Sequence, residues 1–185
     1  MQTRAFLVLA LLLTTSLACR STGEREGGTV TPPTVVEPAQ CGDIARLSRF
    51  GDIWVASQPS GRDFALAQDA GVVSVLDMRR PSETRGFDEA GLAADFGLEY
   101  RVTPIAGPSE LTDEAIDAAR AALVEMPRPI LVHCGTANRA AAVWIAYRAL
   151  DEGAGLDDAV LEARAMGLRS PVYETRMRAY VEARR

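Results

Sequence analysis

The apolar positions of the chain fall into short blocks of two kinds. Val72–Leu76 (VVSVL) and Ile130–His133 (ILVH) are mostly β-branched and apolar, which predicts strands buried on both faces. Ile53–Ala56 and Glu99–Val102 predict two more strands. Elsewhere the apolar positions return every three or four residues. That spacing predicts helices over Arg62–Ala70, Phe87–Phe96, Asp113–Glu125, Asn138–Asp151, Leu156–Met166 and Pro171–Ala183. Ser60, Thr112 and Ser170 are N-cap residues, Pro171 suits a first helical position, and Gly71, Gly97 and Gly167 are stops. Strands alternating with helices predict one α/β domain, a parallel central sheet flanked by helices. Ligands bind such sheets beyond the carboxyl ends of the strands.

The first residues break this pattern. Arg4 is followed by the apolar run Ala5–Leu13 and then by Thr14–Cys19, too short to remain as a membrane span. Residues 1–18 read as an export signal. Ala18 before Cys19 resembles a bacterial lipoprotein signal, which implies a lipidated Cys19 and a membrane-anchored protein facing the periplasm or exterior. Plain cleavage after Ala18 also fits. Residues 19–41 are rich in Gly, Thr and Pro and read as a flexible tether, leaving 42–185 as the folded domain.

A net charge of −5 gives the chain no global attraction to nucleic acid. An anionic ligand must therefore be drawn by a local basic site. The sequence has three cysteines. With Cys19 lipidated, a Cys41–Cys134 disulfide competes with a free thiol at Cys134. His133 is the one histidine, which excludes a multi-histidine metal site.

The densest chemistry follows the strand Ile130–His133. The segment His133-Cys134-Gly135-Thr136-Ala137-Asn138-Arg139 leads from it into an apolar helix. A loop there turns backbone N–H groups inward at the positive end of a helix dipole. Cys134 at its base is set to act as a thiolate nucleophile. Gly135 allows close approach of backbone to ligand, and Thr136, Ala137 and Asn138 supply further amides. Arg139 can grip two phosphate oxygens at once. His133 either orients the loop or is a buried core histidine. Arg79 and Arg80, in the turn Asp77–Pro81, lie on the same rim; both are anion-binding candidates, solvated turn residues the alternative. Trp144 and Tyr147 follow at helical spacing and read as core.

These residues resemble the signature loop of cysteine-dependent phosphatases of the tyrosine and dual-specificity type. The match is closest to a bacterial branch named for its occurrence beside β-lactamase-like hydrolases. It covers roughly residues 43–150 and includes Ser57-Gln58-Pro59, Val75–Arg79 with Glu83 beyond, Thr103-Pro104-Ile105 and the HCGTANR loop. The resemblance implies a dual-specificity-phosphatase-like fold that cleaves a phosphomonoester, either a small molecule or a phosphoprotein. Cys134 would form a phosphocysteine, and Arg139 and the loop amides would hold the phosphoryl oxygens, with no metal or cofactor. Such enzymes place an Asp general acid on the loop after the preceding strand. Here the loop Ile105–Glu110 has no Asp, and Glu110 and Asp113 are the nearest carboxylates. Four residues rather than the usual five separate Cys134 from Arg139, and Ala140 stands where a hydroxyl is usual. The shorter spacing keeps open a rhodanese-like sulfurtransferase or persulfide carrier. The lack of the Asp and the hydroxyl keeps open an inactive fold that binds an anion or a partner.

Overall fold

The computed structural model describes residues 19–21 and 35–185. The expected export signal and most of the expected tether lie outside these residues. In chain order the elements are β1 (Arg20–Ser21), β2 (Glu37–Gln40), β3 (Leu47–Phe50), β4 (Ile53–Ala56), α1 (Gly61–Asp69), β5 (Ser74–Asp77), α2 (Glu89–Asp95), β6 (Glu99–Val102), α3 (Asp113–Glu125), β7 (Ile130–His133), α4 (Asn138–Leu150), α5 (Leu156–Met166) and α6 (Pro171–Glu182).

The strands lie in the order β1-β2-β3-β4-β7-β5-β6. Four of them, β4, β7, β5 and β6, run parallel and form the expected sheet. β1, β2 and β3 extend it antiparallel at the β4 edge. The last residues of the expected tether are therefore a strand, Glu37–Gln40. Its Pro38 and its polar ends suit an outlying strand, where the ladder tolerates proline, and give no apolar signal in the sequence. β3 and β4 form a hairpin turned at Gly51, whose φ of 58° suits glycine.

Alternation along the strands divides the core in two. Ile53, Val55, Leu76, Ile130 and Val132 face the layer built from α3, α4, α5 and α6. Trp54, Ala56, Val75 and Leu131 face the smaller layer of α1 and α2. α4 is buried from Ala140 to Tyr147, as expected of an apolar helix between sheet and outer helices. Trp144 and Tyr147 are core residues, as their spacing predicts. Buried Trp144 donates from Nε1 to Glu162 Oε2 at 2.8 Å, so its one polar atom is satisfied. Ser60, Thr112 and Ser170 cap α1, α3 and α6 as expected. α2 starts two residues later than predicted, because Asp88 caps it through Gly91 N. Among the described residues no helix is long and apolar enough to cross a membrane.

Candidate active site

Strand register builds the site. Ala56 and Asp77 both pair with His133, and Asp77 pairs with Val102. The four parallel strands thus end in one row, and the loops starting at Ser57, Met78, Thr103 and Cys134 emerge side by side. Backbone bonds tie them together. Cys134 N donates to Ala56 O at 3.4 Å, Gln58 N to Gly135 O at 3.4 Å and Met78 N to His133 O at 2.9 Å. Ser57 and Thr136 form an antiparallel bridge.

Cys134 is free and fully buried at the base of its loop. Ala137 closes the loop in the left-handed region, with φ 67° and ψ −13°. It is the only non-glycine residue with positive φ among the described residues. A left-handed residue leading into a right-handed helix turns successive N–H groups into one concavity. No side chain caps α4, so its first amides stay free for a ligand.

Arg139 curls back over this concavity: a Cβ on Gly135 would lie 3.6 Å from its Nη2. The guanidinium meets Glu83 end-on, Nη1 to Oε1 and Nη2 to Oε2, both at 2.6 Å. Nη1 also donates to Ile105 O at 3.2 Å. Of the five guanidinium hydrogens, three are used. Nε–H and one Nη2–H remain, a side-on edge that matches two phosphate oxygens. The bonds from Arg139 hold the Glu83 carboxyl down to about 2, and the pairing holds Arg139 firmly charged.

Behind the loop lies a buried polar cluster. His133 points to the opposite face of the sheet from Cys134, toward Phe64 and Glu89. Its Nε2 is 3.5 Å from Glu89 Oε2, and neither ring nitrogen makes a hydrogen bond. Burial lowers its pKa to about 4. Arg85 clamps Asp77 Oδ2 through Nε at 2.9 Å and Nη2 at 2.6 Å, and the Tyr100 hydroxyl, with one hydrogen to give, lies 3.0 Å from both Asp77 Oδ2 and Glu89 Oε2. Burial, with the charge of Asp77, pushes the Glu89 carboxyl up. Asp77, Glu89 and His133 offer three atoms within 4.8 Å of one another, a spacing that could hold a metal ion. The guanidiniums of Arg85 and Arg79 already bring positive charge to these carboxylates and oppose a second cation there.

No family model matches the chain, and no curated protein does. Solved structures do. A DUF442 protein of Shewanella putrefaciens is 21% identical, with 77% of this chain and 94% of that one covered at a TM-score of 0.63. The core catalytic domain of the PP-IP phosphatase SIW14 from S. cerevisiae is 17% identical, covering 70% and 81% at 0.60. TpbA of P. aeruginosa, solved with pTyr, is 20% identical, covering 74% and 82% at 0.55. The chain has the fold of the cysteine-dependent phosphatases.

In this phosphatase fold Cys134, Gly135, Thr136, Ala137 and Arg139 come together as the sequence predicts. Asn138 lends the loop its backbone, as expected, and turns its side chain away to accept from Arg169 N at 2.8 Å and Ser170 N at 3.2 Å. Other candidates are placed differently. Arg79 reaches the rim but is buried. It bonds Gln58 Oε1 and Thr84 O and lies 3.6 Å from Glu83, so it braces the site rather than presenting a free cation. Of its two readings, His133 is the buried histidine, with neither ring nitrogen hydrogen-bonded, and its ring makes no bond that could orient the loop. Asp113 pairs with Arg176 of α6 and with Arg184 just beyond it, whose bonds pull its pKa down. Glu110, the other carboxylate, is exposed and lies 3.9 Å from Arg80.

The cysteines also pair differently. Cys19 and Cys41 form a disulfide, and Cys134 stays free, which removes the Cys41–Cys134 alternative. A sulfur in a disulfide has no valence for a thioether, so this pairing and a lipidated Cys19 exclude each other. Tyr173, absent from the sequence reading, donates to Ala106 O at 2.7 Å. It lies near Arg139 and Cys134, and burial pushes its pKa up. It thereby ties α6 to the loop after β6.

Proposed function

We propose that this chain is an exported cysteine-dependent phosphatase acting on a phosphomonoester through a phosphocysteine. The supporting observation is the stack of Cys134, an uncapped α4 N-terminus turned by Ala137, and the open side-on edge of Arg139. In this reading the loop amides and Arg139 hold the phosphoryl oxygens. Cys134 Sγ attacks phosphorus as the bond to the leaving oxygen breaks, and that oxygen takes a proton from Glu110. Water then attacks the phosphocysteine and releases inorganic phosphate and the thiolate. Glu83 and Ile105 O position Arg139. Of the solved structures with this fold, SIW14 is a PP-IP phosphatase and TpbA was solved in complex with pTyr. A phosphorylated small molecule or a phosphotyrosine is the substrate class this suggests.

Export rests on the signal-like residues 1–18, and the Cys19–Cys41 disulfide suits an oxidising compartment. The disulfide favours an unlipidated mature protein over the lipid anchor. Intact mass of the processed protein decides between them: a diacylglyceryl adduct on Cys19 overturns the disulfide form.

Aryl phosphate turnover, measured beside Cys134→Ser, tests the activity. Loss of at least about 10⁴-fold in the variant is expected. Thiocyanate production from thiosulfate and cyanide without phosphate release would instead assign a sulfurtransferase, which the four-residue spacing otherwise favours.

A further inference from the structure

We infer that Arg46 and Arg169 form a second anion subsite on the rim of the Cys134 loop, selecting a phosphomonoester that carries a second anionic group. This rests on the phosphatase reading above and adds a substrate class to it.

All 20 basic residues of the chain are arginines. Among those whose side chains are described, nearly every guanidinium is engaged. Arg79, Arg80, Arg85 and Arg139 meet carboxylates around the site, and the arginines of α3 to α6 meet carboxylates, carbonyls or rings. Arg49 stacks on Trp54, Arg62 faces Asp43, Arg101 bonds Glu125 and Arg128 bonds Leu123 O. Among the arginines whose side chains are described, only Arg46 and Arg169 have neither an ion pair, a hydrogen bond nor a ring contact. Both flank the same loop.

Arg46 is half-buried. Its backbone exchanges bonds with Ser57, the bridge partner of Thr136. Its side chain lies on Gly167, beside Ala137: a Cβ on Gly167 would be 2.5 Å from Arg46 Cδ and 3.2 Å from Ala137 Cβ. Arg169 is exposed, and its backbone is fastened to Asn138, the residue before Arg139. A cleft lined by Leu168, Arg169, Ser170 and Pro171 opens beside it.

The nearby carboxylates are already taken. Glu174, on the wall of that cleft, is bonded by Arg164 and Arg178. Glu83 is bonded by Arg139, and Glu110 faces Arg80. Two uncompensated guanidiniums thus border a loop that binds a phosphoryl group, in a chain of net charge −5. A single phosphate in the loop leaves both unused. A ligand with a second anion uses them.

Hydrolysis of para-nitrophenyl phosphate by the full chain is the readout, with inorganic phosphate and inorganic tripolyphosphate as competing inhibitors. Arg46→Ala with Arg169→Ala should weaken tripolyphosphate about tenfold, and each change alone about threefold. Inorganic phosphate and kcat should change less than about twofold, because neither residue touches the loop's own anion. The double replacement by Lys should recover most of the loss, which a merely structural role would not allow. Equal weakening of both anions, or of neither, overturns the subsite. If the wild type releases no nitrophenol, the phosphatase reading fails instead. Calorimetric titration of the same two anions then still tests the subsite: selective loss of tripolyphosphate in the double Ala variant supports it, and unselective loss overturns it.

Discussion

The two loops that frame the anion cradle are held in opposite ways. The loop after β7 is fixed by backbone: the Ser57–Thr136 bridge, the bonds from Cys134 N and Gln58 N, and the apolar helix α4 behind it. The loop after β5 is fixed by charge. Arg85 grips Asp77 and also reaches the carbonyls of Arg79, Arg80 and Glu83, while Arg79 bonds Gln58 and Thr84 O. The difference teaches where each is vulnerable. A backbone bond survives a change of side chain. A buried clamp does not, because removing one partner strands the other in a low dielectric.

The largest effect is therefore expected at Arg85. Arg85→Met strands Asp77, which is fully buried, and should cost about 3–5 kcal/mol in denaturant unfolding. A loss below about 1 kcal/mol, the worth of an exposed pair, would show that charge does not hold this loop.

The same cluster gives the fold a pH window. His133 ordinarily titrates near 6.5 and is lowered by burial to about 4. As pH falls below the ordinary value the unfolded chain takes up a proton that the folded chain refuses. Stability from this group is full above that value and is lost on the way down to about 4, by at most about 1.4 kcal/mol per pH unit. Glu89 acts with the opposite sign: its raised pKa means that its contribution is lost as pH rises through the folded value. Glu83, held low by Arg139, adds a loss only in the range from 4.5 down to about 2. Unfolding of the wild type and His133→Asn at roughly pH 7, 5.5 and 4.5 separates these contributions. The advantage of the wild type over the variant should shrink as pH falls. An advantage that stays constant would take His133 out of the window.

The backbone-held half of the site was legible in the sequence and the charge-held half was not. The strand Ile130–His133, the four residues after it and the apolar α4 are consecutive, so their order alone places Cys134 under a helix N-terminus. Ser60, Thr112 and Ser170 act within one helical turn and were equally readable. Glu83 and Arg139 are separated by 56 residues, and no local pattern joins them. Asp113 reads as an ordinary first-turn acid until α6 brings Arg176 and Arg184 against it. The turn at Arg169 that claims the side chain of Asn138 lies 31 residues away, so this anchor leaves no local signal. Strand β2, four residues with a proline, carries no apolar alternation at all. Register explains why the missed residues still converge: parallel strands ending in one row bring distant loops to one rim.

Glu83 is where the two modes meet, since a carboxylate of the charge-held loop positions the arginine of the backbone-held one. Glu83→Gln keeps the shape but removes the charge and one of the two acceptors. The guanidinium then loses its fixed orientation, and kcat/KM for an aryl phosphate should fall about 10–100-fold. The fall should appear mainly in kcat, with the fold intact by circular dichroism. An unchanged kcat would mean that Ile105 O alone orients Arg139.

The smallest effect is expected at Ala137, although it belongs to the Cys134 loop itself. Its left-handed φ of 67° costs an L-residue about 1–2 kcal/mol, and glycine escapes that cost. Glycine also gains freedom in the unfolded chain, worth about 0.4–1 kcal/mol in the other direction. The two nearly cancel, so Ala137→Gly should change stability by less than about 1 kcal/mol and turnover by less than about threefold. Ala137→Val is the control. Its branched side chain suits neither the positive φ nor the tight contact with Gly167, and it should cost at least about 2 kcal/mol. If glycine instead abolishes turnover while the fold survives, the backbone bonds do not suffice to hold the loop. The methyl group of Ala137 would then be what keeps the amides aimed at the ligand.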